Sequence, residues 1–354
     1  MPILADLIPA AFFDQSSTVL WLYTLGAIAA LVFGADRAVA GAARLAATLG
    51  MSKVIIGATV VSLGTTTPEA FVSVLAALQG EPGLALGNGV GSIICDTALI
   101  FGTSCLLVRL PMDRFVLNRH GWLQFGAALL LVAVAGTSAL AAGSLEAATI
   151  PRLAGVGFVL LLVGYMVLSV HWARQHPKAV ALPDEPMPRP RRRTFRSAVR
   201  SLAVAFAGLA LVAAASQVLV GSVSRLCARY GVPPDVLAVI VVAFGTSLPE
   251  LVTAIASILK GHPEVLVGNV IGADVLNVLF VVGLSATARP LAVAPLFFWL
   301  HFPVMVAAVG LLRIYVWTGG RRFSRWHALP LLALFAGYYA AMVLVVGVPL
   351  PGAE

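Results

Sequence analysis

Long apolar runs, each closed by charge, Pro or Gly, follow one another along almost the whole chain. An α-helix needs a run of ~20 predominantly apolar residues to cross a bilayer. By that measure the pattern predicts ten helices, near 18–46, 53–79, 84–108, 121–141, 152–174, 197–229, 235–260, 264–287, 293–317 and 327–348. The runs at 18–46 and 197–229 exceed the minimum and are expected to tilt or to extend past the membrane. One segment breaks the pattern: 175–196 is rich in Pro and Arg and reads as a solvated, basic linker. The expected fold is all-α, a polytopic membrane protein whose first transmembrane repeat (1–174) is joined by this linker to a second (197–354).

The distribution of charge sets the sidedness. Of the 23 Lys and Arg residues, 19 fall on one side if the linker is cytoplasmic and the spans alternate; only Arg152, Arg225, Arg229 and Arg289 fall on the other. Cytoplasmic loops carry that excess, so both termini are expected outside, in the cell's inner membrane. Trp122, Trp172, Trp317 and Trp326 stand at span ends, where interfacial anchors belong. Five spans per half is an odd number, so the second half enters the membrane from the opposite face. Such inverted repeats place substrate at their interface near the midplane.

Composition then excludes several classes. With 60% hydrophobic and 11% charged residues and a mean hydropathy of +0.98, no large aqueous domain is expected. The net charge of +8 comes from short loops between spans, so it is no nucleic-acid signal. Cys95, Cys105 and Cys227 fall in or beside apolar runs and read as small hydrophobes, without disulfide or zinc spacing. The N-terminus has no basic region before its first apolar run, so no cleaved signal peptide is expected.

Within this apolar background one acidic motif is written twice, 181 residues apart. Gly64-Thr65-Thr66-Thr67-Pro68-Glu69 returns as Gly245-Thr246-Ser247-Leu248-Pro249-Glu250. The register persists: Gly80, Pro82, Gly87, Asn88, Gly91 and Gly102 return as Gly261, Pro263, Gly268, Asn269, Gly272 and Gly283. A carboxylate in hydrocarbon is costly and is retained mainly where it binds something. Each Pro lacks an amide hydrogen and clashes with the carbonyl four residues back, Gly64 or Gly245, so both helices are expected to break there. Thr65 and Glu69 are four apart, as are Thr246 and Glu250, which puts hydroxyl and carboxylate on one helix face. Asn88, Asn269, Ser92, Asp96 and Asn277 are further candidates to line the cavity. Asp96 and Asn277 each follow their glutamate by 27 residues. A set of hydroxyls, loosened carbonyls and carboxylates suits a hard cation, Ca2+ or Na+.

The pair of segments GTTTPE…GNGVGSIICD and GTSLPE…GNVIGADVLN resembles the alpha-repeats of the cation/calcium exchanger superfamily, in its sodium/calcium exchanger branch. The resemblance extends over nearly the whole chain. It implies that Glu69 and Glu250 coordinate Ca2+ and also serve Na+, with the carbonyls of Thr65 and Thr246 as further Ca2+ ligands. It implies Na+ held around Ser62, Thr66, Ser92, Ala243 (through its backbone oxygen) and Ser247, although Ala273 lacks the hydroxyl usual there. It also implies that the long helices near 18–46 and 197–229 slide across a rigid core. Two departures stand out: Asp96 and Asn277 exchange the usual polarity, and Asp274 replaces a familiar Asn. The function so implied is exchange of Ca2+ for Na+ by alternating access, by a monomer in the bilayer without a cofactor. Exchange of Ca2+ for protons is the alternative, and K+ coupling is disfavoured by Asn277.

Other residues attract blander readings. His120, His171, His176, His262 and His327 sit in loops or at span ends and are expected to be solvated, whereas His301 reads as a hydrogen-bonded packing residue. Asp36 and Arg37 read as an ion pair or as exposed. Asp274 is open between an outer carboxylate of the site and an exposed cavity edge. A channel would need a continuous pore, usually from subunit symmetry. No G-x-S-x-G or H-E-x-x-H element supports an enzyme.

Overall fold

The computed structural model describes residues 10–48, 62–112, 114–175, 195–232, 236, 238–259, 263–318 and 322–346. Most of the linker, the start of the 53–79 run, Lys260, Gly261, His176, His262 and Arg321 lie outside the described residues. In the first half, α1 spans Ser17–Thr48, α2 Ser62–Thr65 and α3 Thr67–Gln79. α4 combines Pro82–Ile94, a π-helical Cys95–Phe101 and Gly102–Leu107. α5 is Arg114–Ala142 and α6 is Arg152–Gln175. In the second half, α7 is Phe195–Tyr230, α8 joins a π-helical Ala238–Ala243 to Phe244–Thr246, and α9 is Leu248–Leu259. α10 combines Pro263–Leu276, a π-helical Asn277–Val282 and Gly283–Ala288. α11 joins a π-helical Phe297–His301 to Phe302–Trp317, and α12 is Arg325–Val346.

Among the described residues seven stretches are long and apolar enough to cross a membrane: Ser17–Ala38, Pro82–Leu107, Leu117–Ala142, Arg152–Trp172, Ala198–Tyr230, Leu266–Ala288 and Phe297–Trp317. The second motif-bearing run, cut at Ser247, is not among them, and neither is α12. The chain is thus a multi-pass helical membrane protein. The helix predicted from 121 begins seven residues earlier, at Arg114. Its first turns carry Arg114, Asn118 and Arg119, so they add no apolar signal although the backbone is helical.

α1 and α7 lie against each other along their length through small residues. A Cβ added to Gly208 would meet the Ala38 nitrogen at 2.4 Å and the Gly34 oxygen at 2.6 Å; one on Gly41 would meet the Ala205 nitrogen at 2.5 Å. Glycine at these points lets the two backbones approach, the usual solution where lipid removes the hydrophobic drive for association. At one end Arg225 pairs with Asp14 at 2.5 Å and Arg229 donates to the Gln15 carbonyl at 2.8 Å. Asp36 and Arg37 pair at 3.8 Å on the exposed surface of α1, as expected.

The halves interlock reciprocally. α6 packs on the end of α10, where Gly155 faces the Ala286–Thr287 backbone; α12 packs on the end of α4, where Gly102 faces Leu331 and Leu332. In the same sense α5 contacts α10 and α11 contacts α4. Two short strand pairs repeat the exchange. β1 (Thr149–Ile150) pairs antiparallel with β2 (Leu291–Ala292), while Pro111 bridges Arg322. Each pair joins a loop of one half to a loop of the other.

Candidate functional site

Both motifs break their helices in the same conformation. Thr66 sits at φ −84°, ψ 4° and Ser247 at φ −79°, ψ 6°, in the sparsely populated bridge region where functional residues recur. Helix restarts at once: the Ala70 amide donates to the Thr66 carbonyl (3.2 Å) and the Leu251 amide to that of Ser247 (3.0 Å). Pro68 and Pro249 occupy the first turns of α3 and α9, where a missing N–H costs nothing. Glu69 and Glu250 fall in those same turns, so each carboxyl stands at the positive end of its helix.

The two half-sites meet crosswise. The Thr246 hydroxyl lies against Glu69, and the Thr65 hydroxyl lies against Glu250. Asn88 braces the crossing. Its amide donates to Ser73 Oγ (2.9 Å) and to the Glu69 carbonyl (3.3 Å), and its Oδ1 accepts from Thr246 Oγ1 (3.1 Å). Asn88 is thus committed to protein partners in this arrangement, while Asn269, its repeat counterpart, has a buried Nδ2 without a hydrogen bond. The Ala243 carbonyl accepts from the Ser247 amide (3.0 Å) and lies 3.3 Å from Thr246 Oγ1, whose single proton goes either to it or to Asn88 Oδ1.

Around this crossing lie four buried carboxyls: Glu69, Glu250, Asp96 and Asp274, each at most 2% exposed. Glu69 is within electrostatic reach of Glu250 and Asp96, and Glu250 of Asp96 and Asp274. Among the described residues no Lys, Arg or His acts on any of them. Glu69 Oε2, both oxygens of Glu250, both of Asp96, Asp274 Oδ1, Asn277 Oδ1 and the hydroxyls of Ser92 and Ser247 are buried without a hydrogen-bond partner. Buried polar groups are ordinarily paired, so a cluster of orphan oxygens marks a place prepared for a cation. Among the described residues no three His, Cys, Asp or Glu side chains already converge at ligand spacing. Hydroxyls and carbonyls must supply the remaining ligands, a mixture that suits Ca2+ and Na+. Ser62 is the first residue of α2, and Thr66 stands at the break.

One feature of the site was not anticipated from sequence, and one open reading is resolved in favour of an outer carboxylate. Asp96 and Asn277 each stand in a π-helical turn, Cys95–Phe101 and Asn277–Val282, a distortion that recurs at functional positions. Asp274 is not an exposed cavity edge: it is 2% exposed, and its Oδ2 accepts from Gln124 Nε2 (2.5 Å) and from Thr97 Oγ1. One signal for Gln124 existed, a lone amide inside an apolar run. Asp274→Leu, which leaves both donors unpaired, is expected to destabilise by about 1–3 kcal/mol while Asp274→Asn stays near wild type; thermal unfolding of the two purified variants checks this.

The histidines divide. His301 is buried with Nδ1 at 2.5 Å from the Tyr338 hydroxyl, the packing role expected of it. His120 is not solvated: its ring lies edge-on to Tyr165 and Trp172, with Nδ1 3.3 Å from the Tyr165 hydroxyl. His327 is held at Nδ1 by Ser324 (2.9 Å) and packs on Tyr315, since a span end still offers aromatic neighbours. His171 is exposed.

Crossed, broken helices around a buried acidic centre define a membrane protein built to take cations out of water. The chain matches the family profile described as Sodium/calcium exchanger protein over residues 19–171 and 200–344, and it belongs to that family. It is 33% identical to the putative antiporter CaxA of Alkalimonas amylolytica, over 90% of this chain and 96% of that protein. It is 28% identical to the sodium/calcium exchanger MaX1 of Methanosarcina acetivorans, over 93% of this chain and 99% of that one. The fold is that of the sodium-calcium exchanger NCX_Mj, soaked with Na+ and Sr2+, with a TM-score of 0.60, 24% identity and coverage of 92% and 99% of the two chains.

Proposed function

We propose that this protein is a secondary antiporter that exchanges Ca2+ for Na+ by alternating access. The observation that carries the reading is the reciprocal meeting of Thr246 with Glu69 and Thr65 with Glu250, in a buried centre of four carboxyls that has no basic partner among the described residues. Occluding that centre empty would bury repelling carboxylates; a bound Ca2+ or several Na+ neutralise them. Closure therefore favours a loaded site, and the two ions compete for one set of oxygens. Glu69, Glu250 and the carbonyls of Thr65 and Thr246 are assigned to Ca2+, and Ser62, Thr66, Ser92, Ala243 and Ser247 to Na+. For Ala243 this requires the Thr246 hydroxyl to turn away. Asp96, Asn277, Asn88 and Asn269 complete the lining.

The reading includes two inverted five-helix repeats, ten spans in all, supported by the reciprocal packing of α6 on α10 and α12 on α4. It places the basic linker in the cytoplasm, both termini outside and one chain as the working unit. A proton-coupled exchange is the second reading, favoured by the four-carboxyl count, because Ca2+ supplies only two charges against it. Proteoliposomes separate the two. An imposed Na+ gradient is expected to drive Ca2+ uptake, and a pH gradient alone is not; uptake driven by pH only would replace Na+ by protons in the assignment. In the same assay Asp96→Asn is expected to keep Ca2+ uptake but to shift its Na+ or pH dependence.

A further inference from the structure

A second polar feature lies away from the acidic centre. The end of α4 and the start of α12 enclose a cavity of about 550 Å3 lined by Arg109, Arg322 and Arg325, with Leu107, Phe323 and Trp326 completing its wall. Its floor is fixed by backbone: the Phe323 amide donates to the Leu110 carbonyl at 2.8 Å, and Pro111 bridges Arg322. Phe323 is fully buried and stands edge-on to Phe101 with ring centroids 5.0 Å apart. Among the described residues no carboxylate pairs with any of the three arginines. Three guanidiniums on a rigid frame without a counter-charge present forked donors of the kind that grip phosphate oxygens.

We infer that this cavity binds the headgroup of an anionic phospholipid. The apolar wall argues for lipid over a soluble phosphate. Leu107, at the end of the membrane-crossing stretch Pro82–Leu107, is 61% exposed, Trp326 in the first turn of α12 is 79% exposed, and Trp317, at the end of the stretch Phe297–Trp317, is 91% exposed. An exposed Trp at a span end marks the headgroup level, and basic pockets between helices on the arginine-rich side are suited to acidic lipids. The acyl chains would run down the exposed leucine surface while the phosphate meets the arginines. The site has a route to the acidic centre, since Phe101 closes the same π-helical turn that carries Asp96.

The test uses the full-length protein in phosphatidylcholine vesicles doped with brominated phosphatidylglycerol, reading fluorescence quenching of Trp326 as the difference between wild type and Trp326→Phe. Quenching is expected to saturate at a low fraction of phosphatidylglycerol, whereas brominated phosphatidylcholine quenches only in proportion to its bulk amount. Arg109→Gln/Arg322→Gln/Arg325→Gln is expected to raise the half-saturating fraction on the order of a hundredfold, at roughly fivefold per arginine. Arg114→Gln/Arg196→Gln/Arg200→Gln, which removes equal charge from exposed positions elsewhere, is expected to leave it unchanged and so controls for folding and surface charge. Equal loss in both triples, no preference for phosphatidylglycerol, or displacement of the lipid by millimolar inorganic phosphate would each overturn the proposal.

Discussion

Glu69→Gln is expected to reduce Na+-driven Ca2+ uptake to background while leaving the fold intact. The substitution keeps size and shape but removes one of four carboxyls, one that crosses to Thr246 in the opposite half. Loss of one partner of a buried charge interaction costs ~3–5 kcal/mol, which is about two to four decades in affinity. The sign of the stability effect distinguishes this from simple damage. Without ions Glu69 repels Glu250 and Asp96, so the ion-free variant is expected to unfold at a higher temperature than ion-free wild type. It is also expected to lose most of the rise that Ca2+ gives the wild type through mass action. Glu250→Gln should match it on both counts, because the two residues hold equivalent positions. Full exchange by either variant would remove the glutamates from the mechanism.

Gly208→Leu is expected to be the most damaging substitution outside the acidic centre. A Cβ there would lie 2.4 Å from a backbone nitrogen of α1, and backbone cannot rotate out of the way as a side chain can. The helices must separate, so the cost should reach or exceed the ~1–3 kcal/mol typical of overpacking. Gly26, on α1 as well, has nothing within 4 Å of its Cβ position, and Gly26→Leu is expected to be tolerated. Thermal unfolding followed by size-exclusion recovery checks the pair. If α1 and α7 also slide as one unit across the rest, Gly208→Leu should slow exchange in whatever protein survives; unchanged stability and rate would contradict the close crossing.

Much of this was legible because membrane helices announce themselves by length. Apolar runs located α4, α6, α7 and α10 to within a few residues, and Pro68 and Pro249 put the breaks around Gly64–Thr65 and Gly245–Thr246, one or two residues before Thr66 and Ser247, where the structure has them. Duplication did the rest for the site: Glu69, Thr65, Asn88 and Asp96 drew notice because their counterparts stand in register. What duplication hides is asymmetry. Shifting Thr97, Asp274 and Gln124 by 181 residues leads to Val278, Ile93 and Met305, an apolar trio where the first is polar. No repeat-based reading could flag a cluster that exists on one side only. The π-helical turns were equally silent, since nothing in the apolar pattern of α4 or α10 sets those turns apart from the rest of the helix. His120 escaped for a similar reason, its aromatic partners lying on α6, far along the chain.

The crosswise bracing by Asn88 has a bearing on how the protein is made. Until α8 emerges from the ribosome, Asn88 Oδ1 waits for its donor, and Thr97 waits for Asp274 until α10 follows. The nascent first half therefore holds its acids without their final neighbours for the whole time the remaining chain is being synthesised. A truncation before residue 246 leaves both groups permanently unmatched, which should mark the fragment for proteolysis rather than yield a stable half.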